Sequence, residues 1–296
     1  MSDILQLSKK QKTLYDRFYK SFSEELTAFY KANQDKTFAV LLSGGYDSRF
    51  VLYACLDLGI PVECCYSFSL ENVDSTDVKL AEEICKVENT PFKRIRMPVK
   101  ADLVIQTMEL LAKDFKCRKK TDFECSMPLY YSYTAVAEDV LLVGSTSDDY
   151  FGLTRKYGQR FKHLDDGLTK FKESMLQNPN NNQAIQKSLF DKHFNKCLFD
   201  PFDAKSVHES FNNTTWQELN VPHVKGPLYS RFKDKFDSIK PYHSNYQCGD
   251  TGIRELCADV LLKSRYNTKN FKSVVGCYNE IVRSVNCEKR KRKSLI

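Results

Sequence analysis

The sequence predicts an α/β protein with an open parallel sheet and flanking helices, followed by an α-rich C-terminal half. Apolar runs of strand length alternate with helical patterns as far as about residue 153. The first run is continuous rather than alternating, which is typical of a parallel strand covered on both faces. Beyond about residue 155 the strand signals stop and helical patterns dominate.

The chain opens with an amphipathic helix, so residues 1–35 are predicted to be an N-terminal helical segment. Apolar residues recur at helical spacing between residues 9 and 32, and one face of this helix is therefore expected to cover an edge of the domain. The apolar positions are Leu14, Phe18, Phe22, Leu26 and Tyr30.

Residues 36–153 are predicted to form the α/β core. Helical patterns separate its strands, and Ser75 is a good N-cap for the helix that begins there. Strands joined by helices of this length indicate right-handed βαβ units and a parallel sheet. The strands are expected at 38–42, 61–68, 92–96 and 139–143, and helices at 48–58, 75–87 and 127–138.

Two further segments complete the predicted organisation. Residues 154–286 are expected to form an α-rich part that completes an acceptor site, with an Asn-rich loop at 178–182. Residues 287–296 form a basic tail that contains the run Glu288-Lys289-Arg290-Lys291-Arg292-Lys293. The tail is either a solvated end of the chain or an electrostatic contact for nucleic acid.

The composition points to a cytoplasmic protein. No stretch approaches the roughly 18 consecutive apolar residues of a membrane span, and no basic segment leads into an apolar one at the N-terminus. The 11 cysteines are odd in number and widely spread, which favours reduced thiols over a disulfide framework. The lack of a Cys-x-x-Cys pair argues against a zinc site.

The loop Leu42-Ser43-Gly44-Gly45-Tyr46-Asp47-Ser48 has the pattern of a phosphate site. It follows a buried strand and precedes a helix, whose free N–H groups and positive dipole end attract anions. Glycine lets the backbone approach the anion closely, and the serines add hydroxyl donors. Asp47 would repel a phosphate directly, so it is expected to hold a Mg²⁺ ion. The alternative is a simple turn in which Asp47 caps the helix.

This loop resembles the Ser-Gly-Gly-x-Asp-Ser pyrophosphate loop of the N-type ATP pyrophosphatases, the PP-loop superfamily. The resemblance implies an adenine nucleotide α-hydrolase-like fold and the cofactors ATP and Mg²⁺. Members of the superfamily split ATP into AMP and pyrophosphate while they adenylate a substrate. Of this loop, Ser43, Gly44, Gly45 and Ser48 are expected to hold the pyrophosphate.

A second segment, Gly144-Ser145-Thr146-Ser147-Asp148-Asp149-Tyr150-Phe151-Gly152, resembles one in the synthase domain of asparagine synthetase. The resemblance assigns the metal to Asp47 and Asp148. The alternative is a polar surface loop whose acids cap a helix. Both motifs follow strand ends, where ligands of such sheets bind, so we expect them to converge.

The chain departs from the family in its catalytic acid and its nitrogen source. Ser145 stands where the family has a catalytic carboxylate, and a serine is no general base at neutral pH. Asp149 is the expected replacement. The family's glutaminase begins with Met-Cys, whereas residue 2 here is Ser2. Ammonia, another amine or a separate glutaminase is therefore expected to supply nitrogen.

These resemblances predict a carbon–nitrogen ligase that adenylates a small-molecule carboxylate and then forms an amide with ammonia or another amine. Asp148, Asp149 and Lys269 are the predicted catalytic residues. Lys269 lies roughly where the family has a charge-stabilising lysine. The alternatives are a PP-loop enzyme that modifies a base of tRNA or DNA, and a catalytically altered member that retains nucleotide binding. Adenine is expected to contact Leu41, Leu42, Phe68, Val143 and Gly144.

Overall fold

A computed structural model describes residues 7–164, 166–176, 182–242 and 250–293. Its centre is a five-stranded sheet in which every pairing is parallel. The strand order is β3-β2-β1-β4-β5. The strands are β1 Phe38–Leu41, β2 Cys64–Leu70, β3 Phe92–Met97, β4 Val140–Leu142 and β5 Cys197–Phe199. The predicted fold class is confirmed.

Helices cover both faces of the sheet. Five of them are α1 Lys9–Lys31, α2 Tyr46–Asp57, α3 Thr76–Val87, α4 Ala101–Lys113 and α5 Lys120–Ala135. The next five are α6 Ser147–Phe151, α7 Arg155–Arg160, α8 Gly167–Leu176, α9 Asn182–Phe194 and α10 Lys205–Ser210. The last five in the described residues are α11 Trp216–Asn220, α12 Gly226–Arg231, α13 Lys233–Ser238, α14 Ile253–Leu262 and α15 Val274–Lys293.

Four strands match the sequence prediction, but the prediction that strands stop after residue 155 is wrong. β5 pairs with β4 in the register Val140↔Cys197. It is an edge strand of three residues, too short to leave a periodic pattern. A boundary at residue 153 therefore cuts through the sheet, because the segment 154–286 supplies one of its strands.

The N-terminal helix is amphipathic, as predicted. A capping box between Ser8 and Gln11 starts α1. Its apolar face packs into a core of aromatic rings on one side of the sheet, where Phe18 and Phe22 are fully buried. Burying a phenylalanine contributes about 1.5–3 kcal/mol. A second core, around α4, α5, α14 and α15, covers the other side.

The N-terminal helix also binds the C-terminal half. The Arg17 guanidinium donates to the Ser210 carbonyl at 2.6 Å, and the Tyr15 hydroxyl donates to the Glu218 carbonyl at 3.0 Å. α1 and the stretch from α10 to α11 therefore pack as parts of one structure. Within the described residues, no helix is both long and apolar enough to cross a bilayer.

The strand order creates a switch point between β1 and β4. From β1 the chain proceeds to β2 and then β3, and it returns to β4 on the opposite side of β1. In open parallel sheets, ligands bind beyond the carboxyl ends of strands at such a reversal. The two segments that follow β1 and β4 are the two sequence motifs, so the topology brings them to one crevice.

Candidate functional site

The loop after β1 is held by its own serines. The Ser43 N–H donates to Ser48 Oγ at 2.9 Å, and the two hydroxyl oxygens lie 3.0 Å apart. The Gly45 N–H donates to Ser43 Oγ at 3.2 Å. The first N–H groups of α2, at Tyr46 and Asp47, have no partner within the helix, so the helix start offers donors and a positive dipole end to an anion.

Asp77 fixes the glycine of the loop, and sequence reasoning missed it. This aspartate lies in the first turn of α3 and is buried. Its Oδ1 accepts the Gly44 N–H at 3.0 Å. The Gly44 carbonyl accepts the Tyr242 N–H, also at 3.0 Å. The N–H and the carbonyl of Gly44 are thus both engaged in holding the loop.

Arg49 anchors the segment that crosses this loop. Its side chain is fully buried, and the guanidinium donates to the Ile239 carbonyl at 2.8 Å and to the Lys235 carbonyl at 3.2 Å. Lys235 lies within α13. Ile239 follows that helix directly and stands three residues before Tyr242. Arg49 therefore positions the stretch whose Tyr242 N–H binds Gly44.

Gly144 joins the two motifs. A Cβ placed on Gly144 would lie 2.8 Å from the carbonyl carbon of Asp47 and 3.0 Å from the Ser48 nitrogen. A side chain here would force the backbone of the loop to shift, so glycine is the residue that fits without rearrangement. At Gly45, by contrast, an added Cβ would find its nearest neighbour at 3.4 Å. The end of β4 therefore touches the start of α2.

Lys225 lies between the two predicted metal ligands. Its Nζ is 2.5 Å and 2.6 Å from the two carboxylate oxygens of Asp47 and 2.6 Å from Asp148 Oδ1. Nζ also donates to Ser147 Oγ at 3.2 Å. The lysine side chain is 1% exposed. The structure thus brings Asp47 and Asp148 together, as predicted, but through a lysine.

The backbone around Lys225 aims it into the site. Lys225 has φ +53°, in the left-handed region, and it stands before Gly226 and Pro227 at the start of α12. Its N–H donates to Asn220 Oδ1 at 3.1 Å, and Asn220 Nδ2 donates to the Phe151 carbonyl at 2.9 Å. A left-handed non-glycine residue costs on the order of 1 kcal/mol. Asn220 therefore holds Lys225 in a strained conformation against α6.

Lys225 carries a charge at neutral pH. Burial disfavours the charged amine, but the contacts with Asp47 and Asp148 outweigh it and raise the pKa of Lys225. The ammonium fills the position that the resemblance assigns to magnesium, whose ligand distances are about 2.0–2.1 Å. In this arrangement the aspartates do not fit a Mg²⁺ ion bound by both. Within the described residues, no group of three His, Cys, Asp or Glu side chains could hold a metal.

Ser145 binds an aspartate from the neighbouring strand. Asp200, which follows β5, accepts the N–H and hydroxyl of Ser145 at 2.8 and 2.9 Å. The same Oδ2 accepts the N–H and hydroxyl of Thr146 at 2.9 and 3.1 Å. Burial raises the pKa of Asp200 to about 6, although these hydrogen bonds favour its charge. The Ser145 hydroxyl is therefore engaged with Asp200, and its part is to shape the loop.

Asp149 lies beside Asp148 at the start of α6 and is half-buried. Burial, and then the charge of Asp148, raise the pKa of Asp149 to about 6, while Lys156 opposes the shift. Next to it the Tyr150 hydroxyl makes a short hydrogen bond with His208 Nε2. Asp149 and Asp148 thus interact electrostatically at the start of α6.

The residues predicted to contact adenine divide between the two faces of the sheet. Leu41 and Phe68 are partly buried at the second core, and Val143 is 4% exposed in it. Leu42 points the other way and is 2% exposed in the first core, because successive residues of an extended chain face opposite sides. Leu41, Phe68 and Val143 thus lie on one face of the sheet and Leu42 on the other, and contact of these residues with adenine stays a prediction.

The structure does not bring Lys269 to the site. Lys269 is exposed in the turn between α14 and α15, and these helices pack on α4 and α5. Among the hydrogen bonds and ion pairs of the described residues, none joins it to Asp47 or Asp148. Lys225 contacts these aspartates instead. The only sequence signal near Lys225 is the helix start that Gly226 and Pro227 indicate. The side chains of the basic run from Glu288 onwards lie outside the described residues.

Comparisons with known proteins identify no family. No protein-family profile matches the chain, and no curated protein sequence matches it. The NH3-dependent NAD synthetase of Campylobacter jejuni, solved with nitrate, aligns over 80% of this chain and 100% of its own, with 15% identity and a TM-score of 0.34. The NMN synthetase of Francisella tularensis aligns over 81% and 99%, with 14% identity and a TM-score of 0.32. Structural similarity this low supports no conclusion about activity. The fold class is therefore assigned from the topology of the sheet.

Proposed function

We propose that this protein is an AMP-forming ligase that binds ATP beyond the carboxyl ends of β1 and β4. A carboxylate oxygen of the substrate attacks the α-phosphorus, the bond from that phosphorus to the bridging oxygen breaks, and pyrophosphate leaves. An amine then displaces AMP from the acyl carbon and forms an amide. The observation that carries the proposal is the contact of Gly144 with the backbone of Asp47, which joins the two motifs at the switch point.

The chain's own groups suit a step in which charge builds on a leaving pyrophosphate. The N–H groups at the start of α2 and the hydroxyls of Ser43 and Ser48 are donors held in place before the reaction. Lys225 adds a positive charge at the same helix turn. Fixed donors and charges aimed at a developing anion are a large source of catalysis. Asp149 is the carboxylate proposed to accept the proton of the attacking amine.

The experiment that tests this proposal is an analysis of the nucleotide products. The full chain is incubated with ATP, Mg²⁺, ammonium and pools of small carboxylic acids, and the nucleotides are separated by chromatography. We expect AMP in a pool that contains the substrate, and no AMP with the Asp47→Asn variant. Formation of ADP and phosphate instead, dependent on a carboxylate, would overturn the AMP-forming proposal. Parallel reactions with tRNA or DNA in place of the acids test the base-modifying alternative.

Two observations favour a second candidate, a nucleotide-binding protein without turnover. Lys225 fills the space between Asp47 and Asp148, and the Ser145 that replaces the family's acid is bound to Asp200. ATP binding, measured by fluorescence of a labelled nucleotide, separates the candidates. Binding without AMP formation across all pools supports this second function, whereas AMP formation excludes it.

A further inference from the structure

We propose that the connection between α4 and α5 is a surface that binds the phosphate backbone of a nucleic acid. This basic loop, residues 113–120, carries five positive side chains against one acid, Asp114, so its net charge is +4 in a chain whose total is +7. The inference concerns binding alone and does not depend on the proposed ligase activity. The positive residues are Lys113, Lys116, Arg118, Lys119 and Lys120.

Hydrogen bonds hold the basic loop in one shape. Asp122 Oδ2 accepts the N–H groups of Arg118 and Lys119 at 2.9 and 3.0 Å. The Arg118 guanidinium folds back and donates to the carbonyls of Ala112 and Cys117, both at 2.9 Å. The backbone that carries the lysines is therefore ordered before any partner arrives, which lowers the entropy cost of binding.

Two lysines of the loop are available to a partner. Lys116 and Lys119 are exposed, and among the ion pairs of the described residues none joins either of them to an acid. The surface lysine Lys86 differs, since it pairs with Glu82 one helical turn away at 3.3 Å. The charges of Lys116 and Lys119 are thus not offset by a neighbouring carboxylate and can attract phosphate groups.

The chemistry of the loop favours a nucleic acid over a lipid surface. Segments that bind membranes place apolar side chains beside their lysines, where they enter the bilayer interface. Here the apolar residues Phe115 and Cys117 are 1% and 0% exposed and belong to the second core. Lysines alone contact the phosphates and carry no base sequence information. We therefore expect binding that is sensitive to salt and independent of base sequence.

The basic loop lies toward the edge of the sheet at which the crevice opens. Lys120 Nζ is 3.7 Å from Glu124 Oε1, and the charge of Arg254, in the first turn of α14, acts on the same carboxyl. Gly252, directly before α14, packs on the end of β2, since an added Cβ would lie 3.2 Å from Leu70 Cδ1. β1 and β2 are parallel, so their carboxyl ends share this edge. A nucleic acid on the loop would therefore lie at the same end of the molecule as the crevice.

The test is fluorescence anisotropy of labelled single-stranded DNA, duplex DNA and tRNA, titrated with the full chain between about 50 and 200 mM salt. We expect the wild type to bind, with an affinity that falls steeply as salt rises. The double variant Lys116→Gln/Lys119→Gln should bind at least tenfold more weakly at low salt and show a smaller salt slope. The control Lys86→Gln/Lys205→Gln removes the same charge from side chains that are 74% and 89% exposed and should bind like the wild type.

Four results would overturn the inference. The first is a wild type that binds none of the three nucleic acids at low salt. The second is an equal loss in the two double variants, which would make net charge the cause. The third is binding that the loop variant keeps but that is lost when the basic residues of 289–293 become glutamine. The fourth is binding to phosphatidylserine vesicles without binding to nucleic acid. The assay contains no ATP, so failure of the adenylation proposal is separately visible.

Discussion

The ammonium of Lys225 lies 2.6 Å from Asp148 Oδ1 and 2.5 Å from Asp47 Oδ1. One lysine from the C-terminal half therefore couples the segments that follow two neighbouring strands, β1 and β4. Because the lysine side chain is 1% exposed, its charge is balanced by these two aspartates rather than by water. The stability of the crevice and its chemistry should thus depend on the same residue.

Removing this lysine should destabilise the fold. Lys225→Met leaves two carboxylates facing each other without their counter-charge. Loss of one partner of a buried ion pair costs about 3–5 kcal/mol, which is an upper bound here because the Asp47 and Asp148 side chains are 21% and 39% exposed. Urea unfolding at neutral pH measures the change in the free energy of unfolding. The control Lys205→Met removes an exposed amine and should stay within about 0.5 kcal/mol. A loss below about 1 kcal/mol for Lys225→Met would show that the ion pair is weak.

Lys225 and Lys269 should differ in their effect on activity. Lys225 contacts both aspartates, whereas Lys269 is exposed in a turn beside α14. Once a substrate is found, we expect Lys225→Met to lower the rate of AMP formation by about 10²-fold or more, the order found on removal of one charge-stabilising donor. Lys269→Met should keep the wild-type rate. The opposite pattern would restore the sequence prediction for Lys269.

A side chain at Gly144 should destabilise the protein, whereas a side chain at Gly45 should be tolerated. Alanine at Gly144 brings a Cβ to 2.8 Å from the Asp47 carbonyl carbon, so backbone must shift. Overpacking of this kind costs about 1–3 kcal/mol, and the shift should also weaken ATP binding. At Gly45 the nearest atom to an added Cβ lies at 3.4 Å, so we expect a change within about 0.5 kcal/mol. Urea unfolding of both alanine variants gives the comparison, and equal stability losses would contradict the close contact.

Because of Lys172, the free energy of unfolding should change with pH in the alkaline range. Burial lowers the pKa of Lys172 to about 8 from 10.5, so between these pH values the unfolded chain binds more protons than the folded protein. Stability therefore rises with pH in that window, and the cost of the buried charge is fully present below about pH 8. Against Lys172→Met, the wild type should gain stability between pH 7.5 and 10. A difference that does not change with pH would mean that the amine is well solvated.

Much of the fold was predictable because its signals are local. The strand Phe38–Leu41 is a continuous apolar run, and the glycines that follow it mark a loop before a helix. The convergence of Asp47 and Asp148 followed from the rule that motifs after parallel strands meet at one edge of the sheet. β5 was not predictable in this way, since three residues at an edge leave no periodicity.

The residues that sequence reasoning missed reach the site from distant parts of the chain. Lys225, Asp77 and Asp200 are single polar residues in or beside three different elements, and no local pattern distinguishes them from surface residues. Only the packing of α12, α3 and β5 against the motifs brings them in. Lys269 was predicted from approximate spacing alone, and the structure places it exposed in the turn between α14 and α15.

The most direct test of the account is exchange of labelled pyrophosphate into ATP. The full chain is incubated with ATP, Mg²⁺ and ³²P-pyrophosphate, with pools of amino acids, other small carboxylates or nucleic acids, and label in ATP is counted. We expect exchange with one pool of carboxylates, absent without that pool and absent with Asp47→Asn. A folded, ATP-binding protein that gives no exchange with any pool would contradict adenylation at the crevice between β1 and β4.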